Sequence, residues 1–237
     1  MAQMRLDQLV LHYPNVYHMA NAGTWSSIRE RGLLSTTALL DLFGITGQQR
    51  YRIESCHRPV SVEIHHPQHG VAIIRDQAPM RESALERCLE GVSPREWYEL
   101  LNRRAFFWAT EARVKKLLGA RLYRNQEHTV LTIDTASLLA RHADRITLSP
   151  INSGNTLYNP PSRGHHTFRL IADYPFEERR RMRGLANAIA EVAVDYSVPD
   201  LFDHTLTVER RRGTEVLEQL FSRERPSARF YPRTLPI

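Results

Sequence analysis

Apolar and polar residues alternate in this chain over short stretches, and the period of the pattern changes from one stretch to the next. Val60–Ile64 alternates with a period of two, and apolar residues return at Val71–Ile74 after a turn containing His, Pro and Gly. Alternation on both sides of such a turn predicts a β-hairpin. Further strands are expected at 105–108, 128–133, 146–148, 189–195 and 206–208.

Segments between these strands carry apolar residues at helical spacing. Ser93-Pro94 is a typical helix start, and Asp134 or Thr135 can begin another helix. Helices are predicted at 38–43, 48–55, twice within 81–101, and at 110–118, 135–141, 176–188 and 213–221. Short strands mixed with short helices, without an internal repeat, predict a single α+β domain. We assign it residues 1–222, followed by a basic, proline-containing tail at 223–237.

The stretch Val16–Leu34 is the part of the chain around which the functional prediction is organised. In this interpretation a short buried strand ends at Val16 and Tyr17, and His18 lies at the strand tip where a loop begins. A helix follows, with Trp25 and Ile28 on its apolar face and a glycine just past its end. A histidine at a strand tip beside a short helix is well placed to hold a ligand.

Composition restricts the class of protein. The 237 residues carry a net charge of +6, with arginine far more frequent than lysine, which favours an acidic partner such as nucleic acid or a phosphorylated cofactor. A merely basic surface is the alternative. No apolar run approaches the length of a membrane span, and the N-terminus lacks the apolar core of a signal peptide. Cys56 and Cys88 have no metal-type spacing, so we expect a cytoplasmic protein with free thiols.

Residues 149–167 differ in composition from the rest of the chain, because they are rich in turn-forming residues. Ser-Pro, Asn-Ser-Gly-Asn and Asn-Pro-Pro-Ser-Arg-Gly follow one another, and all of them are turn sequences. A long loop within a compact domain is usually functional or disordered. We expect a lid or substrate loop here, and a mobile connection is the alternative.

Glu191 is the one charged residue in the apolar run 189–194. A carboxylate within an apolar segment is costly to bury unless it has a partner or lines a cavity. Glu191 is therefore a candidate functional residue. The alternative is an edge strand from which Glu191 faces water.

Two blocks of residues carry a resemblance to a known family. The first is Tyr17-His18-Met19 followed by Trp25-x-x-Ile28-x-x-x-Gly32-Leu33, and the second is Ala190-Glu191-Val192 followed by Pro199, the strand 206–208 and a helix containing Gly213–Leu217. They resemble ADP-ribosyltransferase-fold proteins, in particular the DarT-like group, which modifies nucleic acid using NAD. RNA 2′-phosphotransferases open in a similar way. Ala105–Thr110 resembles the family's central strand. The chain departs from the pattern in having His-Met-Ala after the tyrosine rather than the commoner His-Thr/Ile-Thr.

The resemblance implies an ADP-ribosyltransferase-like split β-sandwich with peripheral helices, and NAD as a substrate. It implies a catalytic Glu191, because a carboxylate that binds the ribose 2′-hydroxyl stabilises the oxocarbenium-like state in which the nicotinamide–ribose bond breaks. Arg58 is the first choice for an assisting arginine and Arg52 the second. Expected NAD contacts are His18, Tyr17, Asn21, Phe107 and Trp108, and expected acceptor contacts are Arg169, Tyr174, Arg179 and Arg183.

Alternatives stay open for these residues and for the function. His18 is equally well read as a core or capping histidine, and each arginine as a surface charge. No metal is expected, because the group His65, His66 and His69 lies in a Pro-Gly turn without Asp or Cys at ligand spacing.

The predicted function is an NAD-dependent ADP-ribosyltransferase acting on a DNA or RNA base, with a toxin role and an antitoxin partner implied by the resemblance. An inactive nucleic-acid-binding module, an RNA 2′-phosphotransferase-like enzyme and transfer to a protein acceptor are the alternatives.

Overall fold

The computed structural model describes residues 4–225, in which short helices and strands follow one another along the chain. The helices are α1 (Leu6–His12), α2 (Trp25–Arg31), α3 (Thr36–Leu42), α4 (Gly47–Glu54), α5 (Glu82–Cys88), α6 (Pro94–Asn102), α7 (Glu111–Leu118), α8 (Thr135–His142), α9 (Phe176–Arg183), α10 (Leu185–Ala188) and α11 (Leu201–His204). Three-residue 3-10 turns lie at Ala143–Arg145, His165–Thr167 and Ile171–Asp173.

The strands are β1 (Asn15–Asn21), β2 (Leu33–Leu34), β3 (Val62–His66), β4 (Gly70–Ile74), β5 (Arg104–Trp108), β6 (Glu127–Asp134), β7 (Ile146–Ser149), β8 (Arg169–Leu170), β9 (Glu191–Asp195), β10 (Ser197–Val198), β11 (Thr205–Arg212) and β12 (Glu215–Ser222). Eight of them form an antiparallel sheet in the order β12-β11-β6-β1-β5-β9-β7-β8. The prediction of a single α+β domain is confirmed.

The large sheet divides into two four-stranded halves at its centre. β1 pairs with β6 along all seven of its residues, and β5 pairs with β9 along all five of its own. Between β1 and β5, by contrast, the backbone register consists of the single pair Tyr17 and Trp108. The two halves therefore separate on either side of this pair, which leaves space between β1 and β5.

Helices cover both faces of the sheet. On one face α1, α2, α8 and α11 pack with the sheet into the largest apolar cluster, in which Leu131, Ile133 and Val192 are fully or almost fully buried. On the other face α5 and α6 pack around Trp97, and α7 packs against Met19. The hairpin of β3 and β4 forms its own small core with α3 and α4.

Local sequence signals explain several of these boundaries. Ser93 caps α6 through the backbone N–H of Glu96 while the Glu96 carboxylate accepts from the N–H of Ser93, with Pro94 at the first helical position. Asp134 caps α8 through the N–H of Ser137. The predicted β3–β4 hairpin, the two helices within 81–101 and the strand at 105–108 are confirmed.

Three predicted elements differ in the structure. His18 is the fourth residue of a seven-residue strand and not at a strand tip, because β1 continues through the buried Met19 and Ala20. Residues 213–221 form a tight turn and β12 rather than a helix, since 215–222 pairs along β11. The predicted helix 176–188 is broken at Gly184, whose φ of 73° lies outside the right-handed helical region.

The start of the predicted tail is attached to the domain. The Arg223 N–H donates to the Leu206 carbonyl, and the Arg225 guanidinium lies 3.1 Å from an Asp134 carboxylate oxygen. The remainder of the tail, 226–237, is outside the described residues. Within residues 4–225, no helix has both the length and the apolar character needed to cross a membrane.

Candidate active site

A cavity of about 140 Å³ lies where the two halves of the large sheet separate. A cavity of about this size accepts one aromatic ring, as an apolar protein cavity of about 150 Å³ binds benzene. Side chains from both halves of the sheet meet around it. It is lined by His18 and Met19 of β1, Phe106, Phe107 and Trp108 of β5, Glu191 of β9, and Arg75 and Leu117.

Glu191 contributes a buried carboxyl group to this cavity. It lies opposite Trp108 of β5 and Ser149 of β7, and it is 4% exposed. The alternative of a water-facing edge strand is therefore wrong, since β9 lies between β5 and β7 in the sheet. The backbone N–H of Ser153 donates to both carboxylate oxygens at 3.1 and 3.3 Å.

The environment of Glu191 raises its pKa to about 7 from an ordinary value of 4.5. Burial is the largest cause, and it outweighs the hydrogen bonds from Ser153 and the positive charges of Arg113 and Arg163, which lower the pKa. Near neutral pH the group is thus present in both protonation states, which suits a residue that accepts and returns a proton.

His18 presents a neutral imidazole to the same cavity. Its Nδ1 lies 2.8 Å from the Phe106 carbonyl oxygen, which can only accept, so Nδ1 carries the proton and Nε2 keeps a lone pair. The pKa of His18 is lowered to about 4, mainly by burial. The hydrogen bond to Phe106 opposes this shift, and the positive charge of Arg75 adds to it. The ring meets Phe107 edge-on, with 5.9 Å between centroids. The free Nε2 can accept a hydrogen bond from a ligand hydroxyl.

Arg75 supplies a positive charge that the sequence analysis missed. It follows β4 directly, lines the cavity, and donates from Nη1 to the Met19 carbonyl at 3.3 Å. Its guanidinium also lies 5.0 Å from the centre of the Tyr123 ring. Within residues 4–225 no carboxylate is at ion-pair distance from Arg75. A charged residue immediately after the apolar run 71–74 was the available signal, and it is a weak one.

The two arginines that sequence reasoning favoured lie outside the cavity lining. Arg58 is buried, and its guanidinium donates to the carbonyls of Arg75 (2.7 Å) and Ile53 and to the Asn102 side chain. Burial lowers the pKa of Arg58 to about 10. These contacts make Arg58 a positioning residue for the backbone of Arg75. Arg52 is exposed on α4.

A buried arginine, Arg163, fixes the part of the loop 149–167 whose Ser153 N–H binds Glu191. Arg163 is completely buried, and its Nη1 donates to the Ser153 carbonyl at 3.0 Å. The backbone of Arg163 is tied to the end of α5, because its N–H donates to the Cys88 carbonyl and its own carbonyl accepts from the N–H of Glu90. Neither Ser153 nor Arg163 stood out in the sequence, since both lie among turn residues.

The other predicted NAD contacts divide between the cavity and its surroundings. Phe107 and Trp108 line the cavity. Tyr17 packs with the apolar cluster of α7 on the opposite face from His18. Asn21 ends β1, and its carbonyl accepts from the Thr24 hydroxyl.

The predicted acceptor contacts are also divided. Arg169 is exposed on the edge strand β8. Tyr174 is 1% exposed and its hydroxyl donates to the Ala188 carbonyl, so this predicted acceptor contact is a core residue. Arg179 and Arg183 lie one turn apart on α9.

A second group of titratable side chains lies outside the cavity lining. His142, Asp200 and His204 place their ligand atoms within 4.8 Å of one another. Arg145 donates to Nδ1 of His142 at 2.7 Å, so Nε2 of His142 bears the proton and donates to Asp200 at 2.6 Å. In this arrangement His142 offers no lone pair to a metal ion, and the group ties α8 to α11 instead.

Comparison with known proteins defines the family. A family model described as a family of unknown function, DUF7002, matches residues 14–205, and the chain belongs to this family. The matched residues include both His18 and Glu191. A comparison with curated proteins finds no match.

Proposed function

We propose that this protein is an NAD-dependent ADP-ribosyltransferase that modifies a nucleic acid. The observation that carries the proposal is the convergence of Glu191 and His18 on one cavity from two strands that lie far apart in the sequence. A buried carboxyl group with a raised pKa, in a cavity beside a neutral imidazole, is typical of a catalytic site.

The residues around the cavity fit NAD as a substrate. The volume suits one ring, and the walls from Phe106, Phe107 and Trp108 suit the nicotinamide. The His18 Nε2 would accept from a ribose hydroxyl, and Arg75 would pair with the pyrophosphate. NAD supplies an activated ribose whose bond to nicotinamide is the one to be broken.

Glu191 has two tasks in this proposal. Ionised, it stabilises the positive charge that develops on the ribose as nicotinamide departs. With a pKa of about 7 it also accepts the proton of the attacking acceptor group. The N–H of Ser153 holds the carboxylate in place for both.

Two further observations support the proposal. The division of the large sheet into β12-β11-β6-β1 and β5-β9-β7-β8 is in keeping with a split β-sandwich of the ADP-ribosyltransferase type. The net charge of +6 suits a polyanionic acceptor. A toxin role, an antitoxin partner and a cytoplasmic location extend the proposal by resemblance.

The test is incubation with NAD labelled in its adenylate half and separate pools of DNA, RNA and protein. We expect label in a nucleic-acid pool, and its loss in Glu191→Gln with the variant's far-UV circular dichroism unchanged. Label in the protein pool would show that the acceptor is a protein and not a nucleic acid. A Glu191→Gln variant with full activity on 2′-phosphorylated RNA would favour the phosphotransferase alternative, and nucleic-acid binding without any NAD binding would favour the inactive module.

A further inference from the structure

Three arginines on two helices, α7 and α9, lack acidic partners among residues 4–225. Arg113 lies on α7, and Arg179 and Arg183 lie one turn apart on α9. Within residues 4–225 no carboxylate is at ion-pair distance from any of them. Arg180, on the same helix, differs because it pairs with Glu177 at 2.7 Å.

Contacts and charges place these three guanidinium groups together. Nη2 of Arg113 donates to the Asn187 side chain at 3.1 Å, which links α7 to the segment directly after α9. The positive charges of all three lower the pKa of the Tyr174 hydroxyl, against the larger effect of burial. The Arg113 charge acts on Glu191 as well.

Two nitrogen atoms in this group are buried without a hydrogen-bond acceptor among the described residues. They are Nε of Arg113 and Nε of Arg179. A buried donor without a partner is costly, and such atoms in a native protein usually have a reason. Several guanidinium groups with free N–H donors match the oxygen atoms of a phosphate group.

We propose that Arg113, Arg179 and Arg183 form a phosphate-binding site beside Glu191. The site deepens the proposed function, and its use for the acceptor strand rests on that function: a phosphodiester held here would bring the neighbouring nucleotide toward the carboxyl group. Phosphate contacts of this kind fix the register of a strand without reading its sequence.

The probes are a fluorescent single-stranded DNA and an RNA of the same mixed sequence, titrated over a range of salt concentrations. Arg113→Gln, Arg179→Gln and Arg183→Gln are each expected to weaken binding and to reduce the magnitude of the slope of log K against log salt, by at most the ~0.7 of one phosphate contact on a single strand. Arg180→Gln is the matched control, because it removes the same charge from the same helix but an arginine that already has a partner. It should leave the slope unchanged.

A second arm identifies the source of the phosphate. NAD binding is followed by thermal shift in the same variants, and a loss there with intact oligonucleotide binding would assign the site to the dinucleotide. If all three variants behave like Arg180→Gln with both probes, the phosphate site is overturned. The binding measurement needs no turnover, and we expect binding to be retained in Glu191→Gln. The phosphate site can therefore be tested even if the protein proves not to be a transferase. Melting temperatures of all variants exclude unfolding as the cause.

Discussion

At the scale of single residues, the burial of Glu191 makes the stability of the protein depend on pH. Its pKa in the folded state is about 7, against an ordinary value of 4.5, so the folded protein holds this proton more tightly than the unfolded chain. Stability from this group is therefore present below about pH 4.5 and is lost as the pH rises to about 7. The loss at higher pH amounts to about 3 kcal/mol.

We predict that Glu191→Gln is more stable than the natural protein at pH 8, by up to about 3 kcal/mol, because the amide has the same shape and needs no proton. Each kcal/mol corresponds to about 2 to 4 °C in a chain of this size. Melting curves from pH 5 to pH 8 test this, with the exposed Glu86→Gln as the control. A difference that does not shrink toward pH 5 would contradict the raised pKa.

The sequence identified four of the residues that line the cavity, Glu191, His18, Phe107 and Trp108, and missed the ones that hold them in place. Glu191 was found because a lone charge in an apolar run has few structural explanations, and His18 was found by resemblance. Arg75, Ser153 and Arg163 act through contacts with segments distant in sequence. No local pattern marks such contacts, and two of these residues lie among ordinary turn residues.

At the scale of elements, the turn after α2 shows why the Gly32 of the opening motif matters. Its φ is 76°, and a Cβ at this position would lie 2.2 Å from the Val198 carbonyl oxygen and 2.4 Å from the Pro199 Cα. The first is a backbone atom of the last residue of β10, and the second belongs to the segment that joins β10 to α11. Gly32 thus allows α2 to pack against the chain that leaves β9 and its glutamate.

We predict that Gly32→Ala destabilises the protein by about 2 kcal/mol or more, because it combines an unfavourable φ with a backbone clash. Gly44→Ala is the matched control: its φ of 61° is similar, but nothing lies within 4 Å of a Cβ there. That variant should cost about 1 kcal/mol. Urea unfolding measures both, and equal costs would show that the Val198–Pro199 segment moves aside freely.

An element was predictable where the spacing of its own apolar residues decides its structure. It was not predictable where pairing with another strand decides it. Residues 215–222 have apolar residues at spacings that also suit a helix, yet they form β12. Gly213-Thr214 makes the two-residue turn, with a φ of 55° at the glycine, and this Gly-led pair was the hairpin signal available in the sequence. Pairing with β11, which runs from Glu215 to Ser222 with two irregularities, then outweighs the helical spacing.

At the scale of the whole molecule, the positive charge is distributed unevenly. The run Arg210–Arg212 is largely neutralised, because its members pair with Glu127, Glu209 and Glu218. The arginines of β11 therefore contribute little unpaired positive charge, whereas Arg113, Arg179 and Arg183 remain without ion-pair partners among the described residues.

The central claim is that Glu191 and His18 act together on one bound nucleotide, and a double-mutant cycle on nicotinamide release tests it most directly. Release from NAD is measured for the natural protein, His18→Ala, Glu191→Gln and the double variant, each checked for folding. We predict that each single variant loses at least about tenfold in kcat/KM, and that the double variant loses much less than the product of the two, since residues that act as a unit are not additive. Losses that multiply, or release that neither variant changes, would contradict a shared site.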